Sequence, residues 1–248
     1  MSVIQSIKRM LRKRGETCAA ILVAAGSSAR MQGQDKLLAE LGGMTVLERA
    51  ALAFEQNDRI SEIVVVTRAD RMEEISRLLH DRGLTKLTLV VPGGKTRAES
   101  VQAGFGHVSD KTRLVAIHDA ARPLVSQRII NETVAMAIKT RASAPAIPVK
   151  DTIKIAKSGA VVSTPDRKTL FAVQTPQVFD FDLLRAAHKK AAKKGITLTD
   201  DCMAAEQLGL KVFLTQGDET NLKITTSDDL KIFEALRATE NGRKAGTI

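Results

Sequence analysis

The chain has no tryptophan, no tyrosine and only seven phenylalanines in 248 residues. Binders of single-stranded nucleic acid stack bases on aromatic side chains. No nucleic acid partner is therefore expected, although the formal net charge is +10. Only two cysteines occur, Cys18 and Cys202. Two give no disulfide framework, and a reducing, cytoplasmic location fits them. No apolar run approaches the roughly 20 residues of a membrane helix. The first fourteen residues also lack the unbroken apolar core of a secretory signal, so no membrane partner is expected. The dinucleotide fingerprint G-x-G-x-x-G is missing after the first apolar run, where residues 26–31 read GSSARM. This argues against a nicotinamide or flavin oxidoreductase. Gly94-Lys95-Thr96 imitates the end of a P-loop, but Leu89 stands where that motif requires glycine.

What is present is an alternation of apolar, β-branched runs with stretches of helical spacing. The pattern predicts strands at 19–25, 62–67, 87–91, 114–117 and 144–149, and helices at 44–56, 71–81, 96–108 and 127–139. Such alternation implies an α/β fold, a mainly parallel twisted sheet with helices on both faces, Rossmann-like. Pro145 and Pro148 predict that the fifth strand is irregular or near an edge. Short alternating pieces around Ser158-Gly159 predict a β-hairpin within 150–162. The chain then returns through 169–178, with helices at 181–194, 200–208 and 227–238 and a strand at 211–214. Residues 17–248 are expected to form one domain with an arm at about 150–175, preceded by a basic N-terminal extension at 1–16 that carries Lys8, Arg9, Arg12, Lys13 and Arg14. The arm's apolar side needs cover. A second copy of the chain would supply it, so a homodimer through the arm is expected.

Ligands on such sheets bind beyond the carboxyl ends of the strands. That brings together the loops at 26–36, 93–97 and 118–123. In the first, AILVAAGSSARMQGQDK, an apolar run passes into Gly26, Ser27 and Ser28, and Arg30 and Lys36 follow. The small residues let main chain lie against a ligand, and the two cations would neutralise a polyphosphate held by N–H groups. Otherwise they are two surface cations in a solvated loop. Gly93 and Gly94 either admit a ring to the main chain or form a turn capped into a helix. Asp119, directly after a buried run, either meets Mg2+ on a triphosphate or a ligand hydrogen bond, or caps the next helix. Arg122 either reaches a phosphate or pairs with Asp119. His118 reads as structural. Gln174-Thr175-Pro176-Gln177 and Thr199-Asp200 read as turn and cap residues.

Taken in order, AAGSSARM…DK, GG-x-x-R-x-x-S, HDAARP, P-V-K-D-T-I-K, DR-x-x-L-x-x-x-Q-T-P-Q, T-D-D and N-x-K-I-T span roughly residues 18–238. This set resembles the 2-C-methyl-D-erythritol 4-phosphate cytidylyltransferases of non-mevalonate isoprenoid synthesis. The resemblance implies a nucleotidyltransferase that joins CTP to a phosphorylated polyol and releases pyrophosphate. It implies Arg30 and Lys36 as transition-state stabilisers. It implies a CTP wall of Ala24, Ala25, Gly26, Gly94, Lys95, Ser100 and Ala120, with Asp119 beside it. Arg167 and Lys223 would position the acceptor phosphate, with Thr152, Arg122 and Thr175 more peripheral. Mg2+ would be bound mainly through the CTP triphosphate, with no residue assigned to it. In that family the arm crosses a dimer. Ribitol 5-phosphate cytidylyltransferases share the nucleotide loops and are the alternative. The PDRKTLFAVQTPQ segment favours methylerythritol phosphate. Lys95 stands where members often carry an acid, and Leu37 where glutamine is common.

Overall fold

The computed structural model describes residues 17–26, 35–40 and 42–245, the last nine by backbone alone. The basic extension at 1–16 and Arg30 lie outside the described residues. The strand β1 (Cys18–Val23) is the middle of the sheet, and its buried side chains alternate between two cores. Cys18, Ala20 and Leu22 face one, and Ala19 and Ile21 the other, as the two-residue period of a strand requires. Burial pushes the Cys18 thiol up to about 12, so it acts as a small hydrophobe.

Helix α1 (Val46–Glu55) opens with a capping box in which Thr45 and Glu48 satisfy each other's N–H groups. It is followed by β2 (Ile60–Thr67), α2 (Met72–Asp81), β3 (Leu87–Pro92), α3 (Arg97–Phe105), β4 (Leu114–Asp119), α4 (Gln127–Thr140) and β5 (Ala142–Pro148). Phe54, Ile75, Leu79, Ile129 and Val134 cover one face of the sheet. Val101 and Phe105 cover the other, together with Leu184 and Ala187 of α5 (Phe181–Lys193) and Ala204 of α6 (Asp201–Gln207). The chain closes with β10 (Phe213–Gln216) and α7 (Ser227–Ala245). Among the described residues no helix is long and apolar enough to cross a membrane.

The strand order is β3-β2-β1-β4-β9-β5-β10, with β8 (Phe171–Val173) added to β5. All pairs in the β3–β4 half are parallel, whereas β9 (Gln177–Asp180) runs antiparallel between β4 and β5. The sequence pattern missed β9 as an element of its own, because its four residues sit in what reads as one returning segment. The expectation that β5 is irregular or near an edge is met, since only β10 lies beyond it. It lies inside the sheet, between β10 and β9. Its antiparallel partner changes from β9 at Ala142 and Ser143 to β8 at Ala146–Pro148. Pro145 falls in the gap between them, so its missing N–H costs no antiparallel bond, and its carbonyl accepts from the Gln174 N–H at 2.7 Å.

The expected hairpin is present as β6 (Ile155–Lys157) and β7 (Ala160–Ser163). Ser158 and Gly159 both have positive φ, 50° and 81°, as a primed two-residue turn demands. The ribbon starts later than predicted, at Ile155, leaving Thr152 and Ile153 before it. Ile155, Val161 and Val162 are 53%, 62% and 64% exposed, so nothing among the described residues covers them.

Candidate active site

The chain crosses from β1 to β2 on one side and returns from β3 to β4 on the other, and the carboxyl ends of β1 and β4 open a cavity of about 390 Å³. This is the switch-point position expected for a ligand on an open α/β sheet. The end of β1 supplies Val23, Ala24, Ala25 and Gly26. The loop after β3 supplies Gly94, Lys95 and Thr96, and the first turn of α3 supplies Arg97 and Ser100. Lys36, Asp119 and Lys223 complete the charged part of the lining.

The glycine turn is built for close approach. A Cβ on Gly93 would stand 2.6 Å from the Ala25 Cβ and 2.7 Å from the Ser100 Oγ. The Gly94 N–H donates to Ser100 Oγ at 3.2 Å, and Ser100 donates in turn to the Thr96 carbonyl. Thr96 caps α3 in a capping box with Glu99, whose carboxylate also accepts from the Lys95 N–H at 2.6 Å. The reading of this segment as a turn capped into a helix is met, and the same turn lines the cavity.

Asp119, the last residue of β4, is the electrostatic centre. Its Oδ1 accepts from Arg97 Nε at 3.2 Å, and its Oδ2 lies 2.7 Å from Lys223 Nζ. Burial favours the neutral acid, but Arg97 and then Lys223 outweigh it and hold the carboxyl well below the usual carboxylate range. Arg97 reaches on to Asp201 at 2.7 Å. Arg122 stands behind this group, donating to the Asn221 carbonyl at 2.6 Å, and its buried Nε has no hydrogen-bond partner among the described residues.

The Gln174–Gln177 segment, read from sequence as a polar turn, is the frame of the site. Gln174 exchanges hydrogen bonds with Asp218 main chain and accepts from Asn221 Nδ2. That fixes the strand-like run carrying Lys223. Gln177 accepts from the N–H groups of Asp201 and Cys202 and donates to Asp200, seating the start of α6. Asp200 is the cap of that helix, as expected. Thr175 Oγ accepts from the Asp119 N–H at 3.1 Å and donates to His118 Nδ1 at 3.0 Å, because the Arg122 carbonyl can only accept and so places the ring proton on Nε2. His118 Nε2–H then donates to the Arg122 carbonyl at 3.2 Å. This arrangement selects one neutral tautomer.

His118 is fully buried, against Phe54 at 4.8 Å between ring centroids, and burial pushes its pKa down to about 4. The unfolded chain takes up this proton at the ordinary histidine value near 6.5. The folded chain does not, so its stability falls as pH drops from about 6.5 to about 4. The contribution from this residue is about 3 kcal/mol. Urea unfolding at closely spaced pH values should register this, and His118→Asn should flatten the slope. An unchanged slope in the variant would refute it.

Of the residues singled out in the sequence, Ala24, Ala25, Gly26, Lys36, Gly94, Lys95, Ser100, Asp119 and Lys223 line one cavity. Ala120 does not. It is fully buried beneath, with its N–H on the Val23 carbonyl, and Ala121 lines the cavity instead. Thr175 and Arg122 back the cavity rather than line it. Arg167 and Thr152 lie apart on the exposed arm, where Arg167 donates to the Lys150 carbonyl at 2.8 Å. Arg97 was missed as a site residue, although it is the arginine of the GG-x-x-R-x-x-S pattern. Its partners are 22 and 104 positions away, and no local signal points to them.

Fold and cavity together define the chain as an α/β nucleotidyltransferase. The comparisons with known proteins are more specific. The family model for 2-C-methyl-D-erythritol 4-phosphate cytidylyltransferase matches residues 18–238, and the chain belongs to this family. A relative of that name from Halalkalibacterium halodurans is 41% identical over 224 residues, 90% of this chain and 98% of its own. Another, from Caldanaerobacter subterraneus subsp. tengcongensis, is 42% identical, covering 87% of this chain and 96% of its own. Among solved structures, the 4-diphosphocytidyl-2C-methyl-D-erythritol synthase of Anaerococcus prevotii superposes with a TM-score of 0.81 at 30% identity, over 93% of this chain and 99% of that one.

Proposed function

We propose that the chain joins CTP and 2-C-methyl-D-erythritol 4-phosphate into 4-diphosphocytidyl-2-C-methyl-D-erythritol and pyrophosphate. The observation that carries this reading is the placing of Lys36, Arg97 and Lys223 around one cavity at the ends of β1 and β4. A phosphate oxygen of the acceptor attacks the α-phosphorus of CTP, and the bond to the bridging oxygen breaks as pyrophosphate leaves. The nucleophile is already anionic, so no covalent enzyme intermediate is needed. The protein's task is to orient two anions and offset their repulsion. Ala24–Gly26 and the Gly93–Gly94 turn form a flat slot for the cytidine. Lys36, with Arg30, stabilises the charge that builds on the phosphorane and the leaving group. Lys223 leaves Asp119 to meet the acceptor phosphate, and Arg122 and Thr175 support that side of the cavity from behind.

Mg2+ bound to the triphosphate supplies further charge neutralisation. Among the described residues no group of three or more His, Cys, Asp or Glu side chains could hold a metal. Among the described residues Asp119 is the one carboxylate lining the cavity. That donor set fits an ion held chiefly by phosphate oxygens.

Arg167 and Thr152 sit on the arm, away from the cavity of their own chain. A homodimer built through the arm buries Ile155, Val161 and Val162 and carries these two residues toward the partner's cavity. Light scattering of the wild type should give twice the chain mass, and Val161→Asp/Val162→Asp should give the monomer. A wild type that stays monomeric at micromolar concentration would exclude the arm-swapped arrangement. The reaction itself is tested by pyrophosphate release from CTP with methylerythritol phosphate and with ribitol 5-phosphate. The relatives do not favour the second acceptor, and a clear preference for it would overturn the assignment.

A further inference from the structure

We infer that Asp201 and His188, neither of which lines the cavity, are positioning residues that set how Lys223 presents itself to the acceptor phosphate. The inference rests on the reading of Lys223 as the acceptor clamp. An arginine beside a carboxylate ordinarily takes both of its oxygens with two parallel donors. Arg97 does not do this to Asp119. It gives Asp119 only Nε, and turns Nη1 to Asp201 Oδ2 at 2.7 Å. The second oxygen of Asp119 is thereby left for Lys223. Without the charge on Asp201, Arg97 has one carboxylate within reach. Its fork would close on both oxygens, and Lys223 would lose its seat.

Asp201 is itself rigidly held. It is fully buried, its N–H is on Gln177, and its Oδ1 lies 2.9 Å from His188 Nε2. Burial pushes its carboxyl up, and Arg97 and His188 together pull it below the ordinary value. His188, on α5, is 1% exposed and meets the edge of Phe105 at 90°. Its buried Nδ1 has no partner among the described residues, where the ring makes a single polar tie, to Asp201. A buried polar atom left unsatisfied has a cost. The one bond that this imidazole forms is the bond that orients the carboxylate holding Arg97.

Steady-state kinetics on the full chain separate this role from mere stabilisation. Asp201→Asn keeps the shape and removes the charge. It is expected to lower kcat/KM for methylerythritol phosphate at least tenfold and to leave the KM for CTP within threefold. His188→Leu should show the same acceptor-selective loss. His188→Gln, whose amide N–H can still reach Asp201, should restore kcat/KM to within threefold of wild type. A uniform loss for both substrates, no loss at all, or failure of glutamine to do better than leucine would overturn the inference. If Asp201→Asn does not fold, the two His188 variants decide alone. A wild type that does not turn over CTP with this acceptor would instead sink the reading beneath it.

Discussion

Lys36→Ala is expected to lose turnover by about 10²–10³, the range found when a preorganised group that stabilises developing charge is removed. CTP binding should remain measurable by calorimetry. The expectation comes from how the lysine is mounted. The next residue, Leu37, is only 3% exposed and belongs to the larger core cluster. Its N–H donates to Asp35 Oδ1 at 3.1 Å, and its carbonyl accepts from the Leu47 N–H at 3.0 Å. The backbone at 36 is thus anchored from below, and the side chain is delivered to the cavity from a fixed base. The rest of the nucleotide wall is main chain and small side chains from β1 and the Gly93–Gly94 turn, which alanine at 36 does not touch. Turnover within fivefold of wild type would remove Lys36 from the mechanism.

Asp119→Asn should damage both activity and stability. Its carboxylate is shared by Arg97 and Lys223, and Arg122 stands nearby, so neutralising it leaves three cations around an amide. Breaking a buried ion pair by removing one partner costs about 3 kcal/mol or more. That corresponds to a fall in Tm of roughly 6–12 °C for a chain of this size. Activity should fall at least about a hundredfold, because the two cations beside the cavity lose their common anchor. The pH dependence has a definite sign. The folded carboxyl titrates well below the ordinary value, so its stabilisation is complete above the normal carboxylate range. It fades as pH falls from the ordinary carboxylate value through the depressed folded one. Wild type and variant should therefore differ most near neutrality and converge in strong acid. A variant with unchanged Tm would show that Asp119 is not the anchor described here.

What was legible in the sequence was local. The run into Gly26, the capped turn at Gly93–Thr96 and the carboxylate at the end of β4 each declare themselves within a few residues, and the parallel strands follow from the same patterning. What was hidden depends on distance along the chain. Gln177 reads as turn until its side chain is seen to serve residues 200–202, and Gln174 until it is seen to hold 218–221. Arg97 acquires its meaning from two acids that no window of sequence contains. Pro145 marked a strand near the sheet edge, but not the reason the chain tolerates it there, which is that the neighbouring strands change over at that residue.

The placement of β9 has a consequence for biosynthesis. The cytidine slot and its glycine turn are encoded in the first 120 residues or so, yet β4 and β5 stay open edges until residues 177–180 slide between them. A ribosome-bound or prematurely ended polypeptide would therefore expose two adhesive strand margins. It would also lack Asp201 and Lys223, which complete the ion pairs around Arg97 and Asp119. Competence arrives late in translation and all at once, and shortened forms of this chain should be found as aggregates rather than as weak enzymes.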